Sequence, residues 1–173
     1  MSVADHKKAG PRSVGCALVT VSDTRSPATD TSGALLKARL ESGGHRIVSY
    51  EILPDELTRI RDRVRALAEA DVEAVLLSGG TGIAPRDTTY EAVVGILDRR
   101  LDGFGELFRS LSYPEIGPAA MLSRAVAGTL LSTIVFAMPG STAACELAVD
   151  RLVLPELSHI VGLLRPAANS RRQ

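Results

Sequence analysis

Apolar residues along this chain arrive in short unbroken runs, with stretches of helical spacing between them. Residues 14–21, 74–77 and 133–138 are continuous apolar segments of strand length, which predicts buried, central strands of a parallel sheet. Residues 46–52 form a further strand through Ile47, Val48, Tyr50 and Ile52. The intervening segments follow the helical period. Leu35, Leu36 and Leu40 lie on one face of a helix over about 32–42 that Gly43-Gly44 ends, after a flexible loop from Pro27 to Gly33. Leu57, Ile60, Val64 and Leu67 mark a helix over about 56–70, and Val93, Val94, Ile96 and Leu97 one over 88–97. The order β-α-β-α-β-α predicts right-handed crossovers and helices covering the sheet. After residue 103 the pattern changes. A short helix is expected over 104–111 and a loop over 113–118. The strand-like segments 125–130 and 133–138, separated only by Leu131-Ser132, predict a hairpin that adds one antiparallel strand. Two helices follow, over about 142–153 and from Pro155 to about 164. The expected fold class is therefore a three-layer α/β/α domain with a mostly parallel sheet. One domain over 13–166 is expected, with a disordered tail at 1–12 and a frayed end at 167–173.

Composition narrows the picture. The 173 residues are 45% hydrophobic, enough for a packed core, and 20 basic residues balance 20 acidic ones. A net charge of zero and 3% aromatics give no footprint for nucleic acid. No apolar run reaches membrane-spanning length, and the polar start lacks the apolar core of a signal peptide, so a cytoplasmic location is expected. Cys16 and Cys145 lie in apolar segments and read as core thiols of a reducing compartment. His6, His45 and His159 show no metal-ligand spacing, and no G-x-S-x-G elbow occurs.

Candidate chemistry concentrates where strands end. The first strand runs into Ser22-Asp23-Thr24, the second into Pro54-Asp55, the third into Gly79-Gly80-Thr81-Gly82 with Asp87, and the last into Pro139-Gly140-Ser141. In a parallel sheet these ends share one rim, where ligands bind. Glycine turns and helix N-termini suit phosphate oxygens, and Asp23, Asp55 and Asp87 are hard ligands for a divalent cation. Such a set suits phosphoryl or nucleotidyl transfer. Each feature also has a plain structural explanation. The glycine turn is neither a Walker A loop nor G-x-G-x-x-G and can be a tight strand-to-helix connection. Asp55 and Asp87 both stand at helix N-cap positions. Their joint appearance on one rim is what raises the functional reading.

At these residues the chain resembles the molybdopterin-binding family of molybdenum-cofactor biosynthesis proteins, the MoaB/Mog group. The matching stretches are Thr20-Val21-Ser22-Asp23-Thr24 with Asp30-Thr31-Ser32-Gly33, then Ser78-Gly79-Gly80-Thr81-Gly82 with Arg86-Asp87. Gly103-Phe104-Gly105-Glu106-Leu107-Phe108-Arg109, Glu115-Ile116-Gly117, Leu122-Ser123-Arg124-Ala125 and Pro139-Gly140-Ser141 complete an ordered set that spans nearly all of 14–165. The resemblance implies a homotrimer, sometimes paired into hexamers. It implies transfer of AMP from Mg-ATP to the terminal phosphate of molybdopterin, with release of pyrophosphate, ahead of a separate molybdate-inserting enzyme. It assigns importance in the reaction to Asp55 and Asp87, and these two carboxylates are expected to organise Mg²⁺ on the ATP phosphates. It assigns pterin and phosphate binding to Ser22, Asp23, Gly79, Gly80, Thr81, Gly82, Ser112, Ser123, Pro139, Gly140 and Ser141, with Glu106 in support at the pocket rim.

Two other readings stand beside this one. The first is a paralogue that binds molybdopterin or scaffolds partners without turnover. The second is a nicotinamide-dependent oxidoreductase, mildly invited by Glu51. Ser22-Asp23-Thr24, in place of glycines after the first strand, argues against it.

Overall fold

The computed structural model describes residues 10–165; the expected tails at 1–9 and 167–173 lie outside the described residues. Six strands form one sheet in the order β2-β1-β3-β6-β5-β4. They are β1 (Gly15–Val21), β2 (Arg46–Leu53), β3 (Ala74–Ser78), β4 (Arg99–Arg100), β5 (Val126–Leu130) and β6 (Thr133–Met138). β1 pairs in parallel with β2 and β3, and β3 with β6. β5 is antiparallel to both β6 and β4, so it alone runs against the others. Every residue of β1, β3 and β6 is buried, as their unbroken apolar runs require.

Two cores lie on the two faces of the sheet. One is filled by Ile60, Val64 and Leu67 of α2 (Leu57–Glu69) and by Ala92 and Val93 of α3 (Thr89–Val94), against Ala17, Val19, Val75, Leu77 and Val135. The other holds Leu36 and Leu40 of α1 (Thr31–Ser42), Phe104 and Phe108 of α4 (Asp102–Ile116), Cys145 of α5 (Thr142–Ala148) and Leu157 and Val161 of α6 (Leu154–Leu164). This is the three-layer architecture that the periodicity predicts.

Several local expectations are corrected. The loop expected over 27–33 is shorter: residues 27–29 form an exposed turn, Asp30 is the N-cap of α1 and is 2% exposed, and residues 31–33 are already helical. α4 does not stop near residue 111. It runs through Pro114 to Ile116 and ends at Gly117, which has φ +60, before a 3-10 turn over Gly117–Leu122. Proline so close to the helix end removes only one internal hydrogen bond. The helices on either side of Pro155 are continuous. A π-turn over Val149–Val153 joins them, with the Leu154 N–H donating to the Val149 carbonyl. Widening the helix there accommodates the N–H that Pro155 lacks. The hairpin turn is as expected, and it places Leu131 at φ +54. Residues 10–12, expected in the tail, lead directly into β1, and Gly10 lies against the Ser158 backbone.

Candidate functional site

The C-terminal ends of β1, β2, β3 and β6 meet on one rim, and glycine makes the meeting possible. Gly79 has φ +104, and a Cβ there would lie 2.2 Å from the Val21 carbonyl oxygen. A Cβ on Gly140 would lie 3.1 Å from the Gly79 Cα. The turns after β3 and β6 thus touch backbone to backbone, tied by the Gly79 N–H to the Met138 carbonyl at 3.0 Å. Gly80, at φ +66, leaves room for two side chains: a Cβ there would be 2.5 Å from Asp55 Oδ2 and 2.3 Å from Thr89 Oγ1.

On one side of this joint lies a cavity of about 280 Å³. Thr81, Gly82, Ser123, Pro139 and Ser141 line its strand-end wall. α4 contributes Phe108, Ser112, Glu115 and Ile116, and α5 contributes Ala143, Ala144 and Leu147. Ser141 is the N-cap of α5, its Oγ accepting from the Ala144 N–H at 3.2 Å. Ser112 donates to the Phe108 carbonyl at 2.7 Å within its own helix. Mostly apolar walls with a few hydroxyls and a helix N-terminus suit a flat heterocycle that carries an anionic group.

On the other side lie the carboxylates. Asp55 is 7% exposed. It does not cap α2, whose N-cap is Glu56 and has no side-chain cap bond. Instead its Oδ1 accepts from the Thr88 N–H at 3.0 Å and from the Thr88 hydroxyl at 2.7 Å, across 33 residues. Asp55 therefore satisfies the start of α3. Asp87 bends back on its own loop, its Oδ2 accepting from the Ala84 N–H at 3.0 Å. Asp23 joins the group, its Oδ1 accepting the Asp55 N–H at 3.1 Å. Arg86 pairs with Asp23 through two 2.7 Å bonds. That guanidinium holds the Asp23 carboxyl below the usual carboxylate range, with the Asp55 N–H assisting. Ser22 shapes the same loop, its Oγ accepting from the N–H groups of Thr24 and Arg25 at 3.3 and 3.1 Å.

Two arginines to which the motifs assigned no role tie these loops together. Arg124 clamps the turn after β3: its N–H donates to the Thr81 carbonyl at 3.0 Å, Nε to the Gly82 carbonyl at 2.8 Å and Nη2 to the Asp87 carbonyl at 3.2 Å. Glu91 pairs with the same guanidinium, which sits 4.9 Å from the Tyr90 ring centroid. Arg25 ties the loop after β1 to the turn after β6, donating to Asp30 Oδ1 at 3.1 Å and to the Gly140 carbonyl at 3.0 Å. Burial pushes the Asp30 carboxyl up. The hydrogen bonds from Thr20, the Gly33 N–H, Tyr50 and Arg25 outweigh it and leave the group below its ordinary value. Tyr50, half-buried and bonded to that anion, is pushed up to about 12.

The structure thus places Thr81, Gly82, Ser112, Ser123, Pro139 and Ser141 in the cavity wall, and Gly79, Gly80 and Gly140 in the joint behind it. Asp23, Asp55 and Asp87 stand on the adjoining rim. Glu106 departs from the group. It is exposed on α4 and lines a separate depression with Tyr90, Arg109 and Arg124. Of the apolar walls, Leu147 carried no signal in the sequence beyond ordinary core periodicity, and Phe108 stood in a matching stretch with no role assigned to it. Among the described residues no cluster of three or more His, Cys, Asp or Glu side chains could form an all-protein metal cage. The donors present fit magnesium, which takes one or two carboxylates and draws its other ligands from phosphate and water. Asp55 Oδ2 lies against Gly80 beside the buried Thr89 hydroxyl, which has no hydrogen-bond partner among the described residues.

Comparisons with known proteins identify the family. Residues 17–159 match a family model described as a probable molybdopterin binding domain. A molybdenum cofactor biosynthesis protein B from Halalkalibacterium halodurans is 51% identical over 163 residues, 93% of this chain and 96% of the relative. Its counterpart from Bacillus cereus is 52% identical over 162 residues, 92% and 96% of the two chains. Among solved structures, the tungsten cofactor synthesizing protein MoaB from Pyrococcus furiosus superposes with a TM-score of 0.81 at 32% identity, over 90% of this chain and 99% of that one. On the family match over most of its length and on relatives about half identical to it, the chain belongs to the molybdopterin-binding family of molybdenum-cofactor biosynthesis proteins, the MoaB/Mog group.

Proposed function

We propose that this protein acts in molybdenum-cofactor biosynthesis as a molybdopterin adenylyltransferase. The observation that carries the reading is the position of Asp55. A nearly buried carboxylate is held on the rim by Thr88's neutral donors and lies against Gly80, next to Thr81 and Gly82 of the pocket wall. In the reaction, an oxygen of the terminal phosphate of molybdopterin attacks the α-phosphorus of ATP. The bond from that phosphorus to the bridging oxygen breaks, and the electron pair leaves with pyrophosphate. The attacking oxygen is already anionic, so no strong general base is required. The barrier is the approach of two anions, and positioning and charge neutralisation lower it. The pocket holds the pterin, with its phosphate toward the Thr81-Gly82 turn and the α5 N-terminus. Asp55 and Asp87 would hold Mg²⁺, which supplies neutralisation of the nucleotide phosphates.

Incubation with molybdopterin, ATP and Mg²⁺ should yield the adenylylated pterin and pyrophosphate. Asp87→Asn should cut pyrophosphate release by about 100-fold while leaving pterin affinity nearly intact. Near-normal turnover in that variant would remove Asp87 from the reaction.

A second reading is favoured by one feature: the pocket is complete without the rim carboxylates. A protein that only held molybdopterin would need the pocket alone, and calorimetry with Mg-ATP separates the two. Self-association as a homotrimer or hexamer is supported by exposed apolar side chains on α4 and the following turn, with Leu107 56%, Ile116 56% and Met121 75% exposed. Sedimentation equilibrium measures the number of subunits. The adenylylated product would pass to a separate molybdate-inserting enzyme.

A further inference from the structure

The loop over 82–87 carries a cation beside its carboxylate, and the reaction scheme has not used it. Arg86 precedes Asp87, and its Nε and Nη2 donate to Asp23 Oδ2 and Oδ1, both at 2.7 Å. Asp23 in turn accepts the Asp55 N–H. The guanidinium therefore sits within the rim that bears Asp23, Asp55 and Asp87. On the adenylylation reading, we propose that Arg86 is a nucleotide-phosphate ligand parked on Asp23, and that it exchanges that carboxylate for the phosphates of ATP on binding.

Three observations carry this. First, the pair is accessible: 62% of the Arg86 side chain and 36% of the Asp23 side chain face solvent. An exposed ion pair of this kind adds little net stability, so releasing it costs little. Secondly, the other two arginines of the site are committed elsewhere. Arg124 and Arg25 hold the backbone carbonyls of Gly82, Asp87 and Gly140, and moving either would undo a turn. Among the described residues, Arg86 hydrogen-bonds to Asp23 alone. Thirdly, the fork of a guanidinium fits a phosphate as it fits a carboxylate, through two parallel N–H···O bonds, and a polyphosphate brings more charge.

The exchange answers a difficulty that the rim creates. Three carboxylates repel an arriving triphosphate. Parked on Asp23, Arg86 cancels one of those charges before binding. Once moved, it faces the phosphates directly, and Asp23 regains its charge as the nucleotide's own cation arrives.

The full-length protein should be titrated with Mg-ATP and, separately, with molybdopterin by calorimetry, with thermal unfolding followed in parallel. Arg86→Ala should weaken Mg-ATP binding about tenfold or more, leaving molybdopterin affinity and Tm unchanged. Arg86→Lys, which keeps the charge and loses the fork, should fall between. Unchanged Mg-ATP affinity in Arg86→Ala overturns the inference and leaves the adenylylation reading intact. A joint fall of both affinities with Tm also overturns it, by making the pair a tether between loops. Wild-type protein that binds no Mg-ATP at all overturns both.

Discussion

The two ends of the sheet treat carboxylates in opposite ways. At the edge where the parallel strands begin, Glu73 accepts the Gly15 N–H at 2.7 Å, pairs with Arg165 and lies 3.9 Å from Arg46. Burial pushes this carboxyl up, and Arg165, the Gly15 N–H and Arg46 pull it down further, so that it ends below its ordinary value. Its charge is consumed by cations of the same chain. At the edge where those strands end, Asp55 is held in place by an N–H and a hydroxyl, and neither cancels its charge. The comparison separates a carboxylate that cations of its own chain hold from one held by neutral donors. Asp23, exposed and paired with Arg86, stands between the two cases.

Exchanging the charge for an isosteric amide at each edge gives the sharpest test. Asn at position 55 can still accept both Thr88 donors, so Asp55→Asn should lower adenylyl transfer about 100-fold with little change in Tm. Glu73→Gln should do the reverse, leaving turnover alone and destabilising by about 1 kcal/mol, because Arg165 and Arg46 are largely exposed. Loss of stability without loss of turnover at Asp55 would break the contrast.

Next in size is the glycine joint. Gly79→Ala must place a methyl group 2.2 Å from the Val21 carbonyl at φ +104, and should cost about 2–3 kcal/mol by chemical denaturation. The same change at Gly103, where a Cβ would meet nothing within 4 Å, should be tolerated.

Acid sharpens the comparison further. The folded-state pKa of Glu73 is depressed, so its contribution is present above the ordinary glutamate range and is lost as pH falls through the depressed value. The stability gap between wild type and Glu73→Gln should therefore close as the pH is lowered, as read from urea midpoints. The smallest effect is expected away from both edges. Leu131 sits at φ +54 in the β5–β6 turn, and Leu131→Gly should stabilise by up to about 1 kcal/mol.

Much of this architecture is readable from residue order, and the exceptions have physical causes. The buried strands β1, β3 and β6 are legible because a strand covered on both faces must be apolar throughout. β4 is not legible: it is two exposed arginines paired to Thr129 and Gly128 through the backbone, and their side chains carry no pattern. The strand-end rim follows from topology, so Asp23, Asp55 and Asp87 could be placed together. The partner of Asp55 could not, because a local rule assigns it to the next helix while the bond it makes spans 33 residues. Arg124 is similar. It stands in a recognisable motif, but its hold on Gly82 and Asp87 is a contact across the fold. The cavity's apolar wall has the spacing of any helix core, and only the arrangement of α4 beside α5 opens a space there.

The contact between Gly79 and Gly140 reaches beyond the present protein. The Gly79 backbone fills the space a side chain at position 140 would need, and the Val21 carbonyl fills the space one at position 79 would need, so each position is constrained through descent by the backbone it faces. A lineage can enlarge neither in a single step without first moving the backbone that faces it. Members that do carry a larger residue at position 140 should show a compensating shift in the turn after β3, and those that carry one at position 79 a shift at the end of β1.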